Sequence, residues 1–154
     1  SCVLFRKGEQ FRGFPCLTSL YLVLDAIWAV LPTGILTVGI LNANNLRDAQ
    51  TDTEAGIRSL ASVLGKKWSV WLYQFEMLSP FAILLATVWF GILPMTVLLT
   101  LPIAVAVVTL CKQVLRFNGV NTASIATLYA STAKTQLMFS LLIVSGLVAG
   151  HWLV

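Results

Sequence analysis

Along the 154 residues, apolar positions do not alternate or recur as narrow stripes but run together in long blocks broken by short polar connections. A helix that crosses a bilayer needs about 20 mostly apolar residues, because hydrocarbon offers no partner for an unpaired backbone group. Four blocks meet that requirement. The first runs from about Leu17 to Leu41 and is interrupted by Asp25 and Pro32, so that its start shifts toward Ala26 if the preceding stretch is interfacial or belongs to another helix. The second runs from about Trp68 to Phe90 and is closed by "GILP", where Gly91 and Pro94 turn the chain between antiparallel helices. The third runs from Pro94 to about Leu110, with a kink expected at Pro102. The fourth runs from about Thr132 to Val154 and ends on His151 and Trp152, a pair suited to a membrane interface. The predicted fold is all-α, a polytopic transmembrane helical bundle.

Composition agrees with the pattern. The chain is 58% hydrophobic and 10% charged, with a mean hydropathy of +0.87, whereas soluble domains carry about 25% charged residues. Its formal charge of +4 comes without a basic stripe interleaved with aromatics, which argues against a nucleic-acid partner. Cys2, Cys16 and Cys111 are isolated from one another and from the lone histidine, so they indicate neither a zinc site nor a disulfide framework and read as small buried apolar residues. The opening "SCVLFRKGEQFRGFPC" has no initiator Met and no signal-peptide pattern, which suggests that the chain begins in the middle of something.

Charge also orients the bundle. Arg47, Arg58, Lys66 and Lys67 follow the first block, Lys112 and Arg116 follow the third, and Lys134 opens the fourth, which places seven of the ten basic residues on one side. The positive-inside rule makes that side cytosolic. Arg6, Lys7 and Arg12 then face outward if the first span begins at Leu17, unless another helix or re-entrant piece precedes Ala26.

The chemistry concentrates in "NANNLRDAQTDTEAGIRSL", residues 42–60. Residues four apart lie on nearly the same face of a helix, so Asn44, Asp48 and Asp52 form one polar stripe running off the first span, flanked by Asn45 and stopped near Gly56. Two carboxylates one turn apart repel unless a cation sits between them. Mg²⁺ prefers oxygen donors and binds through one or two carboxylates plus substrate phosphates, which makes Asp48 and Asp52 candidate metal ligands with Asn44 and Asn45 beside them. Arg58, Lys66 and Lys67 are placed to offset phosphate charge, although basic residues at a membrane boundary also serve as anchors. The acidic face resists so simple an explanation, because polar groups at the mouth of a membrane bundle are costly and usually functional.

"NNLRDAQTDTEAGIRSLASVLGKKWS" resembles the second aspartate-rich motif of the UbiA superfamily of intramembrane prenyltransferases. Its opening is similar to the 1,4-dihydroxy-2-naphthoate polyprenyltransferase (MenA) branch, whose pattern is approximately NNxRDxxxDxxxGxxTL. Asn44, Asn45, Arg47, Asp48, Asp52, Gly56 and Leu60 match it, and Ser59 replaces Thr. "LPTGILTVGILNANN" and "STAKTQLMFSLLIVSGL" also resemble that branch, so the likeness covers about residues 26–154. The family has about nine spans, each of about 20 residues, and two aspartate motifs. Only one is present here, at 44–60, and residues 1–154 therefore resemble the C-terminal half of the domain.

The resemblance implies Mg²⁺-dependent transfer of a polyprenyl group from prenyl diphosphate to an aromatic acceptor, dihydroxynaphthoate in menaquinone or phylloquinone biosynthesis, at the cytosolic face of a bacterial plasma membrane or a plastid membrane. Asp48, Asp52 and Asn44 are then metal ligands, with Asp48 and Asp52 catalytic. Asn44, Asn45, Arg58, Lys66 and Lys134 contact substrate, Lys134 remaining equally an anchor. Arg47 points off the stripe, to brace the loop or pair with Glu54. The N-terminal half of the UbiA fold and the bilayer are the implied partners. The competing reading is a non-catalytic UbiA-derived membrane subunit with a packing or quinone-binding role; a transporter lacks support because no internal broken-helix repeat is visible. Trp28, Trp71, Tyr73 and Phe75 could present π faces to an allylic cation but read as packing or belt residues. Met77, Met95 and Met138 read as core filler, and Asp25 and Glu76 as either interfacial groups or polar contacts inside the bundle. His151 lies at the end away from the motif.

Overall fold

The computed structural model describes residues 15–117 and 125–152, with side chains from residue 23 onward. Helix α1 spans Pro15–Glu54, α2 Leu60–Leu64, α3 Lys66–Trp89, α4 Ala104–Leu115 and α5 Leu128–Trp152, and a 3-10 helical segment, Met95–Ile103, leads into α4. No strand occurs among the described residues. Four segments are long and apolar enough to cross a membrane: Val23–Glu54, Lys66–Trp89, Met95–Leu115 and Leu128–Trp152. The chain is an integral membrane protein with an all-α fold, as its hydrophobic blocks predict.

The first span differs from its predicted form. α1 is one helix of 40 residues, about 60 Å at 1.5 Å per residue, against a hydrocarbon core of about 30 Å. It starts on Pro15, whose missing N–H costs nothing in a first helical turn. It then runs unbroken through Ala26 and Pro32, so among the described residues no separate helix or re-entrant piece ends before Ala26. The polar residues 42–54 continue the same helix beyond the apolar stretch, and the motif is thereby held on a rigid rod. The predictions for Cys2, Arg6, Lys7 and Arg12 lie outside the described residues.

Two further boundaries are corrected. Residues 95–103 wind as a 3-10 helix instead of a kinked α-helix, with Pro102 just before α4 begins. α5 starts at Leu128, one turn before the expected Thr132. Gly56 and Gly91 do turn the chain where expected, with φ of +73° and +66°, a region that glycine enters without steric cost.

The interior is built by 3–4 spacing. Pro32, Leu36, Gly39, Ala43 and Leu46 form the buried seam of α1, and Tyr73, Met77, Phe81 and Leu84 line α3 opposite. Phe81 meets Phe139 of α5 edge to face at 5.3 Å. Outward faces are strongly apolar: Val30, Trp68, Trp71, Phe75, Leu85, Trp89 and Val144 are all exposed. Polar side chains are instead found inside, including Asn42, Ser69, Glu76, Thr100 and Thr132. An apolar exterior around polar internal contacts is the arrangement that lipid solvates. Met77 fills the core as predicted, but Met95 and Met138 face outward, because the 3-10 winding and the register of α5 turn them away from it. Cys111 is buried, as expected of a small apolar residue.

Candidate functional site

Successive spans run in opposite directions, so the end of α1, the start of α3, the end of α4 and the start of α5 gather at one end of the bundle. That end holds the motif. Asn44, Asn45, Asp48 and Asp52 are all half-buried on α1, whereas Gln50, Thr51, Thr53 and Glu54 are exposed. The i, i+4, i+8 spacing has thus put Asn44 and both carboxylates on one half-buried side of the helix extension, with Asn45 flanking them. Thr51 and Thr53 donate to the carbonyls of Asp48 and Ala49 at 2.9 and 2.7 Å, which keeps their hydroxyls on the helix itself.

Asp48 is not free. Arg47 Nε donates to Asp48 Oδ1 at 2.7 Å and its NH2 nitrogen donates to Oδ2 at 2.8 Å, a bidentate pair. The same guanidinium lies over the Tyr129 ring, 4.7 Å from its centroid. Arg47 was expected to brace the loop or reach Glu54; it instead clamps its neighbour, and Glu54 accepts from Gln50 Nε2 at 3.1 Å. The reason is reach: the long Arg47 side chain folds back along the helix, where the Tyr129 face on α5 holds it flat. Tyr129 had no signal in the sequence beyond its place near the start of the last span.

The other predicted residues are distributed around this face. Arg58 is exposed in the connection between α1 and α2, and Lys134 is exposed in the second turn of α5. Lys66 opens α3 with its ammonium 5.6 Å from the Phe117 ring centroid, in a groove between α3 and α4. Ser59 caps α2 through its Oγ, which accepts from Ser62 N, so the Thr-to-Ser change in the motif keeps a helix cap.

Below the face lies a buried node that the pattern did not single out as a site. Asn42, 1% exposed, donates from Nδ2 to Glu76 Oε2 at 3.0 Å and to the Ser69 carbonyl at 3.3 Å. Its Oδ1 has no hydrogen-bond partner. Glu76 is therefore a polar contact within the bundle. Tyr73 is likewise internal, its hydroxyl 2.7 Å from Thr132 Oγ1, whereas Trp28, Trp71 and Phe75 are exposed on outward faces.

No cluster of three or more His, Cys, Asp or Glu side chains is present among the described residues. The donor set at the polar end is two carboxylates and two amides, all oxygen-bearing, which fits a hard cation completed by phosphate oxygens better than a closed protein cage.

A multi-span helical bundle with a half-buried Asn-Asn-x-Arg-Asp-x-x-x-Asp face at one membrane boundary defines a class of intramembrane protein built around an acidic helix end. Residues 12–143 match the UbiA prenyltransferase family, and the chain belongs to it. It is 34% identical over 130 residues to UbiA prenyltransferase domain-containing protein 1 of Xenopus tropicalis, covering 83% of this chain and 35% of that protein. Similar values hold for the Drosophila melanogaster homolog of that protein, at 32% over 128 residues, 80% of this chain and 32% of the relative. For the Mus musculus protein the identity is 33% over 128 residues, 82% of this chain and 35% of the relative. The chain thus spans about a third of the length of these curated relatives. No solved structure matches it significantly.

Proposed function

We propose that this chain forms the C-terminal half of a membrane site that moves a polyprenyl group from its diphosphate to an aromatic acceptor, with 1,4-dihydroxy-2-naphthoate as that acceptor. Family membership supports prenyl transfer, and the Asn-Asn opening of the motif supports the naphthoate branch. The observation that carries the reading is the rigid extension of α1, which presents Asn44, Asp48 and Asp52 on one half-buried face with Asn45 flanking it.

In this reading Asp48 and Asp52 hold Mg²⁺, with Asn44 completing the oxygen donors and Asn45 touching the diphosphate. When bound, the ion supplies positive charge to the departing diphosphate. Arg58, on its exposed connection, takes up phosphate charge from the water side, and Lys134 does the same from α5. As the bond from C1 to oxygen breaks, the electron-rich ring carbon that bears the carboxylate forms the new bond to C1, and CO₂ leaves with diphosphate. Asp48 would meet a cation through the lone pairs that the two Arg47 hydrogen bonds leave open, or after Arg47 gives up one of them. The apolar helices exclude water, which raises the value of every charge contact.

A second reading has one observation in its favour: the Arg47 clamp occupies both Asp48 oxygens, as expected of a UbiA-derived subunit whose acidic face has become structural. One experiment separates the two. The chain is expressed in membranes alone and with an N-terminal UbiA half supplying the other motif, and labelled prenyl diphosphate incorporation into dihydroxynaphthoate is followed with and without Mg²⁺. Mg²⁺-dependent product in the pair, reduced on the order of a hundredfold or more by Asp48→Asn or Asp52→Asn, supports the enzyme. Absence of product from a correctly inserted pair favours the subunit.

A further inference from the structure

At the same polar end, but between α3 and α4, a groove of about 600 Å³ is lined by Lys66, Lys67, Trp68, Trp71, Val114 and Phe117. Its volume falls in the range of about 300–1,000 Å³ that accommodates small ligands. Its chemistry is graded along α3. Two ammonium groups stand at the mouth, Trp68 and Trp71 meet edge to face at 6.3 Å just below, and Phe75 stacks on Trp71 at 5.8 Å further down. These three aromatics are exposed on the outward face of α3, Trp68 by 62%, so the groove opens away from the interior of the described bundle.

Its positive charge is uncompensated. The Arg47–Asp48 pair is the only ion pair among the described residues, no carboxylate lines the groove, and Lys112 and Arg116 add two more charges at the end of α4. Gly65, which precedes α3, offers no side chain to cap the first turn, so the positive end of that helix points the same way. Lys66 is held over the Phe117 ring, an arrangement that fixes its position without neutralising it.

We infer that this groove is a binding site for an anionic glycerophospholipid, with the headgroup phosphate between Lys66 and Lys67 and an acyl chain along Trp71 and Phe75. A phosphate diester with two apolar tails matches a cationic mouth above an aromatic, outward-open trough. A basic residue near an anionic surface contributes about 1 kcal/mol, or about fivefold in affinity. An aromatic and lysine belt with no selectivity would be anchoring alone. The inference uses neither Asp48 nor Asp52, but it assigns to a lipid phosphate Lys66 and Lys67, which the sequence alone offers to the diphosphate, and the soluble-diphosphate arm of the test separates the two.

The test uses the full chain in nanodiscs, with Trp28, Trp89 and Trp152 replaced by Phe so that Trp68 and Trp71 report. Quenching by phosphatidylglycerol brominated on its acyl chains is compared with quenching by brominated phosphatidylcholine. Preference for the anionic lipid is expected to be on the order of tenfold. It falls to within about twofold in the Lys66→Gln, Lys67→Gln double variant and persists in the Lys66→Arg, Lys67→Arg variant. Millimolar soluble diphosphate leaves the quenching unchanged. Equal quenching by the two lipids in the parent chain overturns the site whatever the variants do. Relief by diphosphate reassigns the lysines to a soluble phosphate and overturns the lipid.

Discussion

Consecutive side chains on an α-helix diverge by about 100°, so neither helical periodicity nor charge counting foresees a bidentate contact between Arg47 and Asp48. The stripe of Asn44, Asp48 and Asp52 is legible because fourfold spacing is a property of the backbone. The clamp is not, because it depends on the Tyr129 face arriving from α5, more than 80 residues later. Its consequence is competitive: a cation approaching Asp48 is repelled by a guanidinium already paired with both carboxylate oxygens at a half-exposed position. Arg47→Ala is therefore expected to tighten Mn²⁺ binding to the purified chain by roughly threefold to tenfold, as measured by electron paramagnetic resonance, equivalent to about 1 kcal/mol for such a pair. Unchanged or weaker binding would show that Arg47 supports the cation site. The Asn42 and Glu76 node gives a second contrast. Asn42→Ala removes the donor from a buried acceptor and should cost about 1–3 kcal/mol, seen as earlier thermal unfolding in detergent, whereas Glu76→Gln keeps an accepting oxygen and should stay near the parent.

Among the elements, α5 and the 3-10 segment show what the hydrophobic blocks leave out. An apolar run specifies a membrane span but not how tightly it winds, so residues 95–103 read as ordinary helix until the partner is known. The partner imposes a close approach. A Cβ on Gly146 would lie 2.7 Å from the Thr96 carbonyl oxygen and 2.9 Å from Val97 Cα, and one on Gly150 would lie 2.8 Å from two atoms of Pro94. Thr96 Oγ1 also donates to the Gly146 carbonyl. The signal was present in the sequence as two glycines four apart, the small-residue spacing through which membrane helices pack backbone to backbone. Gly146→Ala should thus lower the stability of the purified chain by about 1–3 kcal/mol through overpacking, while Gly34→Ala, with nothing within 4 Å, should leave it unchanged or slightly raise it. Equal melting of the two variants would mean that the approach of α5 to the 3-10 segment relaxes freely.

For the whole molecule, four alternating spans and one polar end follow from block lengths and loop charge alone, and the structure brings the ends of α1 and α4 together with the starts of α3 and α5 as that parity requires. What the sequence did not disclose is that α1 is a single rod some 20 Å longer than its apolar part needs, at 1.5 Å per residue over residues 42–54. Pro32 and Asp25 look like interruptions in a string of letters, yet a membrane helix accommodates both when neighbouring helices pack on it. The rod couples orientation to chemistry: whichever side receives the basic loops also receives Asn44, Asn45, Asp48 and Asp52. Seven of ten basic residues lie at that end, and the positive-inside rule makes a cytosolic position the orientation to test. A chain with its three cysteines replaced by Ser should therefore react with a membrane-impermeant maleimide from outside the cell at Phe90→Cys, beyond the end of α3. At Ala55→Cys, next to the motif, reaction should require permeabilisation. The reverse pattern would put the acidic face outside, where a cytosolic aromatic acid could not reach it, and would remove the naphthoate reading together with the orientation.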